Sequence, residues 1–421
     1  MGGQRLLAYF TGMVADIRPK LRPLDMQWTV LNGRSALVLR DRQGISNRVL
    51  LIPGELAPLL AFMDGSRTPT GIRLAFEMRT GRFLPPGLVE GLIAELDEAI
   101  FLEGPRLEAA RRQALESFRA LPIRPPALAG TVYPAEPEDL AAALGAYIRE
   151  AGAEGMASGA VGAVSPHIDY QRGWRVYARL WSALRPAVEA ADAVIIFGTD
   201  HSGGAGRLTL TARPYATPFG TVPLFREAFD ALVDALGPEA VFEEELHHRA
   251  EHSVELALVW LHYLRREDPP PVLPVLCGHF YDFTHGGASA ADHEPFTRTL
   301  AALRAACAGR RVFVVAAADL AHVGPAFGDP DGYDRLMAAR LAGEDRRLLE
   351  AIEAGDAEAF LGWVRADRDR NKICGLPPIY LALRFLGRCR GRTISYEQCP
   401  ADPYGTSLVS IAGVILEPDG S

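Results

Sequence analysis

The sequence predicts an α/β protein with a mainly parallel central sheet flanked by helices, preceded by a small α+β unit. Three observations predict it. Short apolar runs rich in β-branched and small residues, at 161–166, 193–198 and 311–317, alternate with segments of helical apolar spacing, as in successive strand–helix units of a parallel sheet. A Pro-rich stretch, Leu121-Pro-Ile-Arg-Pro-Pro126, divides that region from a smaller one before it. The chain has 421 residues, too many for one modest domain, so two is the natural division. The expected organisation is a small domain over 1–120, a linker over 121–126 and an α/β domain over 127–421.

In the small domain, Trp28 to Arg40 reads as a hairpin with Asn32-Gly33 as its turn, and Asn47 to Pro53 as a third strand. Gly54 to Met63 reads as a short helix. Val89, Leu92, Ile93, Leu96 and Ile100 make Pro86 to Phe101 a longer one. A helix over Glu108 to Ala120 leads into the linker. This region holds no His and no Cys, which argues against a metal site of its own.

Beyond the linker, Leu140, Leu144, Ile148 and Ala151 put a helix over Pro137 to Ala151. Strand 161–166 leads past His167 to a helix near Tyr177 to Leu184, and strand 193–198 leads to His201. A loop and short strand over Pro218 to Leu224, then helices over Phe225 to Leu236 and His252 to Arg265, precede strand Pro271 to Cys277. A helix over Thr297 to Ala308 enters strand 311–317, and Pro377 to Leu386 reads as a last helix.

Composition narrows the function classes. Hydrophobic residues make up 48% and charged residues 23%, ordinary for a soluble globular chain with a sizeable core. A net charge of -8 and a pI near 5.8 argue against a general nucleic-acid surface. No run approaches the ~20 apolar residues a membrane span needs. The first fifteen residues faintly imitate a signal peptide, but Thr11 and Gly12 break the apolar core. Five cysteines, at 277, 307, 374, 389 and 399, form no disulfide framework and point to reduced thiols in a cytoplasmic protein.

The chemistry concentrates in the histidines. All ten lie between 167 and 322. His167, His201 and His322 each follow a strand-length apolar run, so one parallel sheet can bring them together at its carboxyl edge, where open α/β sheets bind ligands. Imidazole nitrogen suits Fe, Cu and Zn.

Several short blocks carry a family resemblance: Gly130-Thr-Val-Tyr-Pro134, Ser165-Pro-His167, Gly198-Thr-Asp-His201, Thr217-Pro-Phe-Gly220, Glu251-His-Ser-Val-Glu255, Asp319-Leu-Ala-His322 and Ile373-Cys-Gly375. In this order, over roughly 127 to 416, they resemble the Memo family, the B protein of the AmmeMemoRadiSam group. The resemblance implies a fold similar to class III extradiol dioxygenases. It also implies a metal trio of His167, His201 and Cys374, with Asp319 and His322 as acid and base. A thiolate replaces the carboxylate of those dioxygenases and shifts preference toward softer metals, so ring cleavage is not carried across. The small domain resembles PqqD-like winged-helix domains, on Leu21-Arg-Pro-Leu24, the paired strands, Leu59 to Gly65 and Thr68-Pro-Thr70. That resemblance implies peptide binding or docking to a partner enzyme; a capping role without a ligand is equally open.

Individual residues refine the expectation. Lys372 and a helix start beside Cys374 are expected to lower its pKa and favour the thiolate, against the alternative of a buried small hydrophobe. Glu251 and Glu255 fit a helix first turn, where carboxylates are favoured; alternatively His252 or Glu255 lines a pocket. Asp200 is expected to orient its loop. Family members commonly have Ala-Gly after the first histidine, and here Ile168-Asp169 stands instead. Asp169 either narrows the pocket or hydrogen-bonds the imidazole. His247-His248 reads as an exposed acidic loop, and His279, His285 and His293 as solvated. Cys277, Cys307 and Cys389 read as buried, and Cys399 as a loop residue.

The leading expectation is a divalent-metal protein, with Fe(II) or Cu foremost and Zn as the alternative. It would be an oxidoreductase acting with O₂ on a small substrate, with His322 moving protons and Asp319 orienting it. Two other readings stay open: a non-catalytic peptide- or protein-binding partner of a radical SAM enzyme, and a zinc hydrolase using His322 or Asp319 as base.

Overall fold

The computed structural model describes residues 17–31, 33–41, 43–152, 157 and 159–420. The chain divides into two compact units, Met1–Ala120 and Leu121–Ser421. No helix among the described residues is long and apolar enough to cross a membrane.

In the first unit, β1 (Asp25–Leu31) pairs antiparallel with β2 (Arg34–Arg40), and β3 (Leu50–Pro53) adds to β2. Gly33 takes a positive φ of 75° in the hairpin turn; Asn32, the other expected turn residue, lies outside the described residues. Leu37, Leu39 and Ile52 from one face of this sheet meet Ile72 and Phe76 of α1 (Pro69–Thr80) and Leu92, Ile93 and Leu96 of α2 (Leu88–Glu98). Helix α1 escaped the sequence reading because only Pro69, Ile72 and Phe76 are buried on it. Its start is marked locally all the same: the Thr68 hydroxyl accepts from Gly71 N–H (3.3 Å), and Pro69 opens the helix. Helix α3 (Pro105–Arg119) completes the unit.

The second unit is built on four parallel strands in the order β4 (Gly162–Ser165), β10 (Val312–Ala317), β5 (Ala193–Thr199) and β9 (Val272–Cys277). Antiparallel strands extend both margins. On one side the short β6 (Leu208–Thr209) joins β9. On the other β13 (Leu408–Pro418) joins β4, with β12 (Cys389–Pro400) beyond it and the short β11 (His322–Val323) at its end. A separate two-residue ribbon pairs β7 (Ala216–Thr217) with β8 (Gly220–Thr221).

Every residue of β5 is buried, the mark of a strand covered on both faces. Ala193, Ile195 and Phe197 point into one core, and Val194 and Ile196 into the other. The first core is closed by α6 (Arg226–Leu236), α8 (Glu294–Ala306), α9 (Arg335–Glu353), α10 (Ala357–Ala366) and α11 (Leu376–Leu386). The second is closed by α4 (Pro137–Ala151), α5 (Tyr170–Ala190) and α7 (Ser253–Leu264).

Helix α5 is much longer than its expected core near Tyr177 to Leu184, because Asp169 caps it one residue before Tyr170. Cys399 is corrected from loop to strand: it lies buried in β12, opposite Val409.

Candidate metal centre

The carboxyl ends of β4, β5 and β10 deliver three groups to one place. His167 comes two residues after β4. Its backbone N–H donates to Asp319 Oδ1 (2.8 Å), as does that of Ile168 (3.3 Å), and its Nδ1 bonds the Ala317 carbonyl at the end of β10 (3.0 Å). His201 follows β5, with Nδ1 3.1 Å from both oxygens of Glu251. His252, at the N-cap of α7, stacks on His201 (centroids 4.7 Å apart, 17° between planes) and holds its own Nδ1 3.1 Å from Glu251. The His167 ring stands edge-on to both, at 5.0 and 5.3 Å. One donor atom from each of the three imidazoles lies within 4.8 Å of the others.

Cys374 completes the cluster, with Sγ 3.2 Å from His167 Nε2. It follows a loop in which Arg368, Asp369 and Lys372 all adopt positive φ, a conformation non-glycine residues rarely take. The chain then turns into α11 through Gly375. Its N–H donates to the Asp319 carbonyl (3.0 Å), and a Cβ there would strike that same oxygen. The Cys374 carbonyl accepts from the Thr199 hydroxyl (2.9 Å), tying the loop to β5.

Electrostatics separates the imidazoles. Burial pushes His167 down to about 4, so its ring is neutral near pH 7. Burial acts the same way on His201, but Glu251 and the Cys374 thiol outweigh it and hold His201 well above its ordinary value. Glu251 is drawn well below the carboxylate range against its own burial, by His201 and His252. Burial raises the Cys374 thiol, opposed by His201. Lys372 does not assist: its Nζ sits on Asp329 at 2.5 Å. The expected lowering of the thiol by Lys372 is corrected accordingly.

A cleft of about 350 Å³ opens on His201 and Cys374. Phe280, Ile373, Leu376 and Pro377 give it apolar walls, while His279, Tyr281 and His285 line it with rings.

Residues 124–415 match the family described as Memo-like protein. The chain belongs to the Memo-like family. It is 26% identical over 412 residues to a MEMO1 family protein of Aquifex aeolicus, covering 95% of this chain and all of that one. A MEMO1 family protein of Methanosarcina barkeri is 29% identical over 308 residues, 70% of this chain and all of that one. One of Thermus thermophilus is 29% identical over 335 residues, 80% of this chain and 94% of that one. The Aquifex match therefore extends into the first unit, whereas the Methanosarcina protein is matched in full by 70% of this chain.

Within the Memo-like domain the other expected site residues divide. His322 lies close enough to His201 and Asp319 to feel both charges, and burial lowers it to about 4. Its Nδ1 bonds the Leu320 carbonyl (3.2 Å), so a backbone oxygen, not Asp319, orients the ring. Asp319 serves His167 instead, with Oδ2 3.7 Å from His167 Nε2. Asp169 is not a partner of the His167 imidazole: it caps α5 through Arg172 N–H (3.1 Å) and pairs with the Arg172 side chain (2.6 Å).

Asp200 orients its loop as expected, accepting from Ser202 N–H (3.0 Å), and also bonds His247 Nδ1 (2.9 Å). Glu255 is not among the residues that line the cleft on His201 and Cys374. It is fully buried against Arg124, Tyr133 and the N–H groups of Ala127 (2.9 Å) and Leu128 (2.8 Å), fastening the start of the domain onto α7. His248 is likewise not exposed: it bonds Tyr215 (2.7 Å) and the Thr209 carbonyl (3.0 Å) in the interior. His279 and His285 are exposed, whereas His293 is half-buried against Phe283 and Phe296.

The functional residue the sequence reading missed is Glu251. Its signal was present: a carboxylate directly before His252 in the family block. Capping explained Glu251 and Glu255 equally well.

Proposed function

We propose that the Memo-like domain holds one divalent transition-metal ion on His167 and His201, with Cys374 and His252 as further donors, and acts as an oxidoreductase on a small substrate in the adjoining cleft. One observation carries the reading. Each of the three imidazoles has its Nδ1 engaged, on the Ala317 carbonyl or on Glu251, which leaves Nε2 as the ligating nitrogen on each. The donors also fit the group: imidazole nitrogens and a thiol suit Fe, Cu or Zn far better than Mg or Ca. Such an ion supplies Lewis acidity and, as Fe or Cu, electron transfer to or from O₂.

The chain's own groups supply the rest. His322, neutral near pH 7 and close enough to His201 to feel its charge, is the group that would hydrogen-bond or deprotonate a substrate bound beside that ring. Asp319 fixes the His167 backbone and keeps a carboxylate beside its ring. Phe280, Ile373 and Leu376 exclude water from the cleft beside Cys374 and favour a substrate with an apolar portion.

The test is elemental analysis of protein purified without added metal or a histidine tag, with His167→Ala and Cys374→Ala alongside. Near one Fe or Cu per chain, lost in His167→Ala, supports the proposal and leads to oxygen-consumption assays. Zn lost the same way redirects the function to hydrolysis with His322 as base. No metal, and none taken up on anaerobic reconstitution, overturns it and leaves the cleft as a recognition surface.

A further inference from the structure

The cleft beside Cys374 carries one charge that the protein leaves unmatched. Three charged groups of its lining have partners. His201 is held by Glu251, Asp200 bonds His247 Nδ1 (2.9 Å), and Lys372 turns its ammonium to Asp329 (2.5 Å). Asp369, a fourth lining residue, has no such counter-charge. Its neighbours Arg370 and Lys372 pair with Glu344 and Asp329 instead. Asp369 stands in the positive-φ loop before Cys374 (φ 50°), where its Oδ1 accepts from Ile373 N–H (2.8 Å). Its second oxygen meets no donor among the described residues. The group is half-buried, and burial, with Asp367 adding to it, pushes the carboxyl up to about 6. Near pH 7 it is still an ionised carboxylate, and a cation entering the cleft would relieve it.

The rings of the lining share that preference. Tyr281 and His285, in and just after the single turn Tyr281–Thr284, stack with centroids 4.3 Å apart and 10° between planes. His279 stands edge-on to Tyr281. Tyr281 is 58% exposed, so a large ring face is open at the cleft. Such a face is electron-rich: it attracts an ammonium group and packs against another ring. Neither the carboxylate nor the ring faces suit an anion.

We infer that the cleft selects a small organic amine in its protonated form, with the ammonium on Asp369 and the apolar part against Tyr281 and Phe280. This names the substrate class of the proposed function, and it rests on this cleft being the substrate site. A volume of about 350 Å³ lies near the small end of the roughly 300–1,000 Å³ usual for ligand clefts, so the amine is a compact one.

The experiment uses the metal-stripped full chain at about pH 7.5 in phosphate buffer, where an alkylamine is protonated and Asp369 is ionised. Three probes of similar size and different charge are compared: phenethylamine, phenethyl alcohol and phenylacetate. Ligand-observed NMR gives the affinities. Slower alkylation of Cys374 by iodoacetamide, read by mass spectrometry, places each probe in the cleft. The expected result is that the amine binds at least about fivefold tighter than the alcohol, with phenylacetate weakest. Asp369→Asn should bring the amine down to the level of the alcohol. Asparagine tolerates the positive φ and keeps an acceptor for Ile373 N–H, so the loop is retained. Tyr281→Ala, at an exposed position, should weaken the amine about two- to fivefold, and with the wild-type ranking it carries the test if Asp369→Asn does not fold. Three results overturn the inference: no probe bound, an amine no tighter than the alcohol in wild type, or an amine affinity unchanged in a folded Asp369→Asn. Probe binding is read without metal and metal uptake separately on wild type, so the amine preference and the metal centre can each fail alone.

Discussion

Glu251→Gln is the sharpest perturbation of the proposed metal centre, because one carboxylate orients two of its imidazoles. Glu251 takes His201 Nδ1 at 3.1 Å on both oxygens and His252 Nδ1 at 3.1 Å. It also receives the backbone N–H groups of His201 (3.1 Å), His252 (2.8 Å) and Ser253 (3.0 Å). A glutamine keeps one acceptor oxygen and turns an NH₂ toward the other contacts. One ring therefore loses its partner, and the rest lose charge assistance. Removing the group that holds a ligating imidazole costs roughly 10–100-fold in metal affinity, about 1.4–2.8 kcal/mol. With two rings affected, the upper half of that range is expected. One effect opposes it. Glu251 also holds a proton on His201, which a metal must displace, and the glutamine removes that competition. Proton competition fades as pH rises, whereas ring orientation does not. The assay is Zn²⁺ competition against a chromogenic chelator at about pH 7 and about pH 9, with thermal unfolding as a control. Weaker binding at both pH values supports the assignment. Affinity within about twofold of wild type at the higher pH would refute it.

Two further outcomes follow from buried charge. Glu255→Ala leaves the fully buried Arg124 guanidinium without its counter-charge, a loss of roughly 3–5 kcal/mol and a fall of roughly 10 °C in Tm. Metal content per folded chain is expected to stay unchanged, and calorimetry with elemental analysis reads both; a metal-free but equally stable variant would place Glu255 at the centre after all. Asp345, buried in α9 with the Tyr396 hydroxyl on one oxygen (2.7 Å), has its carboxyl pushed up from 3.8 to about 6 by burial. The folded state then holds a proton that the unfolded state releases between those values, so stability falls as pH rises through the window, by up to about 3 kcal/mol. Asp345→Asn is expected to flatten that fall in denaturant midpoints measured from about pH 4 to about pH 7. An unchanged slope would assign it to other groups.

How much of this was legible in the sequence depends on where each element's neighbours lie. The four parallel strands were readable because both faces are buried, which writes a continuous apolar run such as Ala193-Val-Ile-Ile-Phe197. The β12–β13 hairpin was not. Strand β12 sits outermost, and its Arg390, Arg392 and Glu397 dilute the apolar residues until the run reads as loop. Helices α9 and α10 fell in a stretch that drew no reading at all. Only six of the nineteen residues of α9 are buried.

At the site, His167 and His201 could be placed from their position after a strand, and Cys374 only from resemblance. Glu251 and Glu255 show the limit most clearly. They lie four residues apart at one helix start and are chemically alike, so local rules cannot separate them. Which one meets the histidines is decided by Arg124, which arrives from the linker region and takes Glu255 for itself. That contact spans 131 positions in sequence.

The arrangement of protons argues that the histidine cluster is built for an ion and not for packing. Three imidazoles with centroids 4.7 to 5.3 Å apart repel one another when all are charged, and here their states are driven apart: burial keeps His167 neutral while Glu251 holds a proton on His201. A packing cluster would gain from turning each ring so that both nitrogens meet protein partners, as His248 does with Tyr215 and the Thr209 carbonyl. In the cluster, His167, His201 and His252 each give Nδ1 to a protein acceptor, while the Cys374 thiol lies 3.2 Å from His167 Nε2 and also hydrogen-bonds His201. Thiol and imidazole are poor hydrogen-bond partners for one another but good ligands for the same ion. A cation at that point would take over the role of the proton on His201 and satisfy the remaining nitrogens together. The same fold thus contains a histidine held between hydroxyl and carbonyl oxygens, and a cluster in which imidazoles meet a thiol.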